Sequence, residues 1–372
     1  MRIWTYAPLL AAVFATVGFN ARPASADQGM RISEPLVHNN LAVYFLHGAS
    51  AAGAIPLTLQ EALAKGVVQV VETGRVNELQ IENSGGEDVF IQAGDIVKGG
   101  QQDRVLTVSF LVPPNSGRLP IGAYCVEQGR WSARGGEDVK KFASSEKSLP
   151  SREAKLAMLA PARPSLAPPM PSQGVTAPIT PEFAQRRTQS LAAARNSGDS
   201  GSRQSEMWQS VARAQSKLSA NLGANVAAAA SASSLQLSLE NAKLAEARAA
   251  YVAALTPHGA NQDDIVGYVV AVAGKVVGGD VYSSNALFRK MWAKQLDAAA
   301  TEAIAEKNAA PLSAPSIEEV GAFLARAEAG KASQTGIAGT SQIRETRDAD
   351  KSILAETRGA SGGFIHRAYL AR

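Results

Sequence analysis

The sequence predicts an α+β protein: an antiparallel, β-rich core of sandwich or barrel-like form, with a helical insertion and C-terminal helices. Three observations predict this class. Residues 36–131 consist mostly of short apolar or alternating segments bounded by Gly, Pro, Asn and Ser, which are strand signals. Helical spacing replaces them over residues 203–256. Strand signals return at 266–282 and are followed by two capped helices.

The first 26 residues predict a secretory signal peptide. Arg2 precedes an apolar run of 13 residues, Ala7–Phe19, and the small residues Ala24–Ala26 stand before Asp27. This order indicates cleavage between Ala26 and Asp27. The alternative is an uncleaved anchor, but the run is shorter than the roughly 20 residues that span a bilayer core. We therefore expect a periplasmic or secreted protein without a membrane span after cleavage.

Composition limits the partners and the chemistry. Loss of Arg2 and Arg22 with the leader lowers the formal net charge from +4 to +2, too little to predict a nucleic-acid partner. The one cysteine, Cys125, cannot form an internal disulfide, and we interpret it as a buried thiol. The four histidines lack metal-ligand spacing, so we predict neither a metal nor another cofactor.

Residues 27–149 predict an N-terminal β-rich module. Its strand signals are Leu41–Leu46, Val67–Val71, Glu78–Glu82, Val89–Ile91, Val105–Val112 and Pro120–Val126. The third and fourth are joined by the turn Asn83–Gly86, which favours a β-hairpin. One helix intervenes, opened by a capping box of Thr58 and Glu61.

Residues 150–202 predict a Pro/Ser-rich linker, because 8 of the 18 prolines lie between Pro150 and Pro181 and such a segment opposes regular structure. Residues 203–256 predict two helices. The Ala/Ser tract between them, Ala224–Ser234, is either a weakly packed helical extension or disordered. Pro257 and Gly259 are expected to end the second helix.

Residues 257–330 are predicted to complete the core. They contain a β-hairpin around the turn Gly274–Lys275, a helix capped by Ser284 or Asn285, and a helix opened by a capping box at Ser316. Residues 331–372 predict a polar tail in which Gly363–Leu370 could add an edge strand.

The densest polar cluster covers residues 92–104, between two strand signals, and predicts a loop or hairpin held by a sheet. Its arginine and lysine suit an anion, and its glycines allow close approach of the backbone to a ligand. An ordinary solvated turn is the alternative. The predicted ligand-binding residues are Asp95, Lys98, Gly99, Gly100, Gln101, Asp103, Arg104 and, from a second cluster, Trp131.

Two carboxylates are candidates for a general base. Asp103 belongs to the first cluster, and Glu127 lies at the end of the last predicted strand, so the fold could bring both to one cleft. A solvated Glu127 is the alternative. The chain has neither a Walker loop nor a Gly-x-Ser-x-Gly elbow.

Several stretches resemble a known family: Ala93–Val105, Cys125–Trp131, and Gln204–Val211 with Gly267–Gly274. They are similar to the ADP-ribosylglycohydrolase and rhodanese-phosphatase-associated protein domain, a bacterial family of undetermined function. The resemblance covers about residues 34–305, with residues 150–201 and the Ala/Ser tract as local insertions. It implies an association with ADP-ribose-processing enzymes and supplies no catalytic residues.

Three functional hypotheses follow, in order of preference. The first is an exported accessory or binding protein whose polar cleft takes an anionic small molecule or peptide. The second is a hydrolase of a nucleotide-like or glycosidic substrate, with Asp103 or Glu127 as general base. The third is a structural or interaction protein of the envelope. The lack of a complete catalytic constellation favours the first.

Overall fold

The computed structural model describes residues 29–130, 140–159, 181–307 and 313–372. The predicted signal peptide, residues 1–26, and the predicted ligand residue Trp131 lie outside these ranges. Within them, no helix has the length and apolar character that crossing a membrane requires.

The N-terminal part of the described chain is rich in strands, as predicted. Its elements are β1 (Arg31–Ile32), β2 (Leu36–His38), β3 (Leu41–His47), β4 (Leu57–Thr58), α1 (Leu59–Ala64), β5 (Val68–Arg75), β6 (Glu78–Asn83), β7 (Val89–Ile91), β8 (Asp95–Gly99), β9 (Arg104–Leu106), β10 (Phe110–Val112), β11 (Arg118–Cys125), β12 (Phe142–Ser148) and α2 (Arg152–Leu159).

The C-terminal part alternates helices with strand pairs. Its elements are α3 (Pro181–Leu222), α4 (Leu235–Leu239), α5 (Ala242–Ala260), β13 (Ile265–Val272), β14 (Lys275–Tyr282), α6 (Asn285–Ala305), α7 (Ile317–Glu328), β15 (Lys331–Gly336), β16 (Ile343–Ala349), β17 (Ser352–Arg358) and β18 (Phe364–Ala371).

The strands form three sheets. A nine-stranded sheet has the order β1-β3-β13-β14-β18-β17-β16-β15, with β2 also pairing with β3. A six-stranded sheet has the order β12-β8-β9-β11-β6-β5, and a three-stranded sheet the order β10-β7-β4. The pair β4–β7 is parallel, and the other pairs of named strands are antiparallel. The predicted α+β class with an antiparallel β-rich core is confirmed.

Apolar side chains fill three layers between these sheets and the helices. The six- and three-stranded sheets enclose one cluster, which includes Ile81, Val89 and Phe110. Helices α5 and α6 cover one face of the nine-stranded sheet, where Trp292 packs edge-on against Phe45 at 5.1 Å. Helix α7 covers the opposite face. The nine-stranded sheet is therefore buried on both sides over its central strands.

Local capping signals correctly predicted the starts of α1, α6 and α7. Both capping boxes are present: the Thr58 and Ser316 side chains accept from the third residue of α1 and α7, and the glutamates return the bond. Ser284 caps α6. These contacts involve residues three apart in the chain, so they form whenever the local sequence allows.

Strand partners were predicted less well. The hairpin of Glu78–Glu82 with Val89–Ile91 is wrong, because β6 pairs with β5 and β11 while β7 pairs with β10 and β4. Between β6 and β7 the chain passes from the six-stranded to the three-stranded sheet. The Asn83 side-chain amide stabilises this connection by donating to the carbonyls of Glu87 and Val112, at 2.8 and 3.2 Å. The predicted strand Val105–Val112 likewise divides into β9 and β10, in different sheets.

Two helix predictions also need correction. Residues 150–202 contain α2 and the start of α3. Between Pro150 and Pro161 there is no proline to oppose a helix, and Pro181 takes the first position of α3, where proline is tolerated. Pro257 lies inside α5 rather than ending it. It stands in the last turn, so at most one helical hydrogen bond is lost.

The polar tail is part of the fold. Strands β15 to β18 extend the nine-stranded sheet, and β18 lies between β14 and β17 rather than at an edge. The turn of the β13–β14 hairpin is Ala273–Gly274, with φ of 49° and 74°, one residue earlier than predicted. The Ala/Ser tract is neither a helix nor disordered: it forms turns around a bridge between Ala228 and Ser231.

Candidate functional site

Asp103 and Glu127, the predicted general bases, do meet. Both are fully buried, and the Arg130 guanidinium lies 2.7 Å from Glu127 Oε2 and 3.7 Å from Asp103 Oδ1. Asp103 also accepts from the Gly99 N–H at 3.1 Å and from the Ser234 hydroxyl at 3.1 Å. Burial opposes ionisation of Glu127, but hydrogen bonds and the Arg130 charge outweigh it and lower the pKa of this carboxyl. Asp103 and Glu127 form a buried ion cluster with Arg130. That either carboxylate acts as a general base stays a prediction.

The rest of the predicted cluster does not share one surface. Arg104 is fully buried and pairs with Glu72 at 3.4 Å. Gly100 has φ of 56° and lies against the ring of Phe142. Gln101 is half-buried. Gly100 thus serves close packing of strand β12 on the β8–β9 hairpin.

Lys98 and Asp95 face two further environments. Lys98 pairs with Glu240 at 3.4 Å at the surface. Asp95 is buried and accepts from the Lys294 ammonium at 2.6 Å. The predicted ligand residues are therefore divided among an internal cluster, the surface, and a contact with helix α6.

Asp95 begins a buried polar chain that leads to the nine-stranded sheet. Its Oδ2 accepts from the backbone N–H of Gln92 at 2.9 Å, and Gln92 Oε1 accepts from the Tyr282 hydroxyl at 2.9 Å. The ring of Tyr282 lies 5.0 Å from that of His366. His366 Nε2 in turn lies 3.1 Å from Oδ1 of Asp280.

Asp280 is the centre of a site that the sequence did not predict. It lies in β14, directly opposite Tyr268 of β13. The Tyr268 hydroxyl donates to Asp280 Oδ2. Burial, followed by the charge of Asp280, raises the pKa of Tyr268 well above its usual value, so this hydroxyl stays a donor. Asp280 thus accepts a hydrogen bond from Tyr268 on one side and has the His366 imidazole at ion-pair distance on the other.

A small cavity of about 50 Å³ lies beside Asp280, between β14, α2 and α6. Its polar lining residues are Gln92, Arg152, Lys155, Tyr268, Asp280, Gln295, Glu302 and Tyr369. The ammonium group of Lys155 makes no hydrogen bond or ion pair with the described residues. Its charge nevertheless acts on both Asp280 and Glu302. We name this space the inner cavity.

The two carboxyl groups of the inner cavity differ in the protonation state that they favour. Burial opposes ionisation of Asp280, but His366, Lys155 and Tyr268 outweigh it and lower its pKa. Burial raises the pKa of Glu302, and Lys155 and Arg152 only partly oppose this. When two carboxyl groups in one site have pKa values shifted in opposite directions, one can act as the acid and the other stays an ionised carboxylate.

The inner cavity adjoins a wider cleft of about 550 Å³, which we name the outer cleft; Arg152, Val277 and Glu302 line both. Its volume is in the range of small-molecule sites. Among the described residues its basic lining side chains are Arg152, Arg213, Lys217, Lys275 and Arg372, and its acidic ones are Glu153, Glu302 and Glu306. Positive charge is therefore in excess.

Sequence reasoning missed this site for a physical reason. Asp280 and Tyr268 lie opposite each other in one hairpin, but His366 comes from β18 and Glu302 from α6. Only the tertiary fold brings these two residues to the hairpin. One signal was present: a charged Asp280 follows Gly278–Gly279 within an otherwise apolar strand. A Cβ on Gly279 would lie 2.1 Å from the Tyr268 carbonyl oxygen, so this glycine lets β13 and β14 approach beside the site.

No group of three or more His, Cys, Asp or Glu side chains that could hold a metal ion occurs in the described ranges.

Fold and cavities together define an α+β protein with a cationic cleft that leads to a pair of carboxyl groups. The chain belongs to the ARG and Rhodanese-Phosphatase-superfamily-associated Protein domain family, whose model matches residues 29–169 and 175–370. The suspected family is confirmed, and of the expected insertion at 150–201 only residues 170–174 fall outside the match. Neither a curated protein nor a solved structure shows significant similarity to the chain.

Proposed function

We propose that the protein is an exported binding protein whose outer cleft and inner cavity take a small molecule with an anionic group. The position of Lys155 is the main support for this proposal. Its ammonium group faces the inner cavity without a hydrogen-bonded partner among the described residues. Burying a cation without a partner costs free energy, so a ligand anion at this position would gain a charge-assisted hydrogen bond.

The outer cleft supports the same class of ligand. Lys275 is exposed at its rim, and Arg152 lies where the cleft meets the inner cavity. The acidic Glu302 at this junction has a raised pKa, which weakens its repulsion of an anion. A ligand with its anionic group at Lys155 and its body in the outer cleft fits this distribution of charge.

Thermal denaturation with a panel of ligands tests the proposal. We expect inorganic phosphate, a small carboxylate or ADP-ribose to raise the melting temperature, since a ligand at 100 times its Kd adds about 2.7 kcal/mol to the free energy of unfolding. Lys155→Met should clearly reduce the shift. The matched control is Lys65→Met, which removes an exposed lysine paired with Glu87 and should leave the shift intact. If no compound gives a shift, the third hypothesis, a structural or interaction protein of the envelope, is favoured.

A hydrolase is the second candidate function, and the opposed pKa shifts of Asp280 and Glu302 favour it. In this mechanism Glu302 donates a proton to the leaving group, while Asp280 stays ionised and stabilises positive charge or activates water. Turnover of an ADP-ribose conjugate or aryl glycoside should be lost in both Glu302→Gln and Asp280→Asn. Loss instead in Asp103→Asn or Glu127→Gln would support the bases predicted from the sequence.

Export is a separate part of the proposal, supported by the order of charge, apolar run and small residues at the N-terminus. The N-terminal sequence of the protein recovered from the producing cells tests it. We expect chains that begin at Asp27. Chains that retain residues 1–26 would contradict cleavage.

A further inference from the structure

A third cleft, of about 590 Å³, lies between the β15–β16 hairpin, β11 and the end of α2. It has no charged lining residue in common with the inner cavity or the outer cleft. Its volume is again that of a small-molecule site. Two arginines line it, Arg203 from α3 and Arg344 from β16.

The strand register places a polar face of the hairpin on this cleft. Arg344 is opposite Thr335, and Thr346 is opposite Ser333. Directly opposed residues share a face, as do residues two apart on one strand, and all four line the cleft. The hairpin thus presents one guanidinium among three hydroxyl groups.

Arg344 lacks the partner that a half-buried charge requires. Its guanidinium makes no hydrogen bond or ion pair with any described residue. The carboxylate of Glu78, the acidic residue among those that line the cleft, pairs with Arg75 at 3.3 Å. Burial, followed by repulsion from the like charge of Arg203, lowers the pKa of Arg344. A guanidinium in this position is stabilised by an anion beside it.

We infer that this cleft binds a small organic phosphate, with the phosphate group on Arg344 and an apolar body against Val108, Pro120 and Met158. The guanidinium charge of Arg344 attracts a phosphate monoester, and its fixed fork suits the phosphate oxygens. The hydroxyl groups of Thr335 and Thr346 supply further donors, whereas that of Ser333 donates to the Thr346 carbonyl. The apolar wall distinguishes such a ligand from inorganic phosphate alone.

Titration calorimetry with phenyl phosphate as the probe tests this inference. We expect the intact protein to bind it, and to bind inorganic phosphate more weakly and phenol not measurably. Arg344→Met should weaken phenyl phosphate binding by at least about tenfold, because charge-assisted hydrogen bonds are lost. Arg344→Lys should retain part of the affinity, since it keeps the charge but not the fork.

Two controls separate this site from a structural role and from the outer cleft. Arg118→Met removes an exposed arginine that does not line the cleft and should leave the affinity unchanged. Lys155→Met should also retain the binding that depends on Arg344. Without ligand, Arg344→Met should melt at the same or a higher temperature, because it relieves repulsion. The inference is overturned if phenyl phosphate does not bind, or if both Arg344 variants bind it as the intact protein does.

Discussion

Glu302 and Asp280 face one cavity, and their surroundings favour different protonation states. Asp280 has a hydroxyl donor and an imidazole within hydrogen-bonding distance, which favour the carboxylate. Glu302 accepts one backbone hydrogen bond, from Arg152 at 3.0 Å, and burial dominates its titration. This difference gives each carboxyl its own dependence of stability on pH.

The raised pKa of Glu302 predicts a gain in stability for Glu302→Gln. Between the ordinary and the raised pKa the folded protein holds a proton that the unfolded chain releases, so ionisation destabilises the fold as pH rises. The variant should therefore be more stable than the parent at neutral pH, and this advantage should vanish below the ordinary pKa of glutamate. Urea unfolding at several pH values measures it. A constant difference at every pH would contradict the assignment.

The lowered pKa of Asp280 predicts the opposite for Asp280→Asn. The ionised carboxylate stabilises the fold above the ordinary pKa of aspartate, and this contribution is lost as pH falls through the lowered value. At neutral pH we expect a loss of about 1–3 kcal/mol, because buried hydrogen-bonding groups lose their charged partner. The loss should shrink in acid. Equal loss at acidic and neutral pH would show that shape rather than charge is responsible.

At the scale of secondary-structure elements, strand pairing explains what the sequence could and could not predict. Capping boxes depend on neighbours three residues apart and were predicted correctly at Thr58 and Ser316. β6 does pair with β5, its neighbour in the chain, but its other partner β11 and both partners of β7 pair at separations of 19 residues or more. The prediction failed there. Asp103 and Glu127 meet because β9 and β11 are antiparallel neighbours, whereas no local pattern links Asp280 to Glu302.

The close approach of β14 to β13 predicts that Gly279→Ala is destabilising. A Cβ there would meet the Tyr268 carbonyl oxygen at 2.1 Å and Val269 Cα at 2.8 Å, so the strands must separate. We expect a loss of at least about 1–3 kcal/mol in the free energy of unfolding, as for other overpacked sites. Gly86→Ala is the matched control, since nothing lies within 4 Å of its added Cβ. Similar urea midpoints for the two variants would refute the argument.

At the scale of the whole molecule, the polar chain from Asp95 to Asp280 joins the six-stranded sheet to the nine-stranded sheet. The hairpin of β8 and β9 contacts α6 through the Asp95–Lys294 pair, and the same helix carries Gln295 to the inner cavity. The sequence motif around Asp95 therefore supports the candidate site through the fold, although it does not itself line the outer cleft.

Cys125 allows the stability of the fold around β11 to be measured. Its side chain is fully buried in β11, and burial raises the pKa of its thiol to about 11. Since the thiolate is the reactive form, a thiol reagent at neutral pH should modify the native protein only after β11 becomes exposed. We expect slow labelling that accelerates with urea. Labelling of the native protein at the rate of a free thiol would contradict this burial.

The most direct test of the proposed function is a crystal structure of the protein soaked with the compound that gives the largest thermal shift. We predict density in the outer cleft, with the anionic group of the ligand within hydrogen-bonding distance of Lys155 Nζ and its body beside Arg152. Ligand density at another surface, with the inner cavity and outer cleft unchanged, would contradict the account.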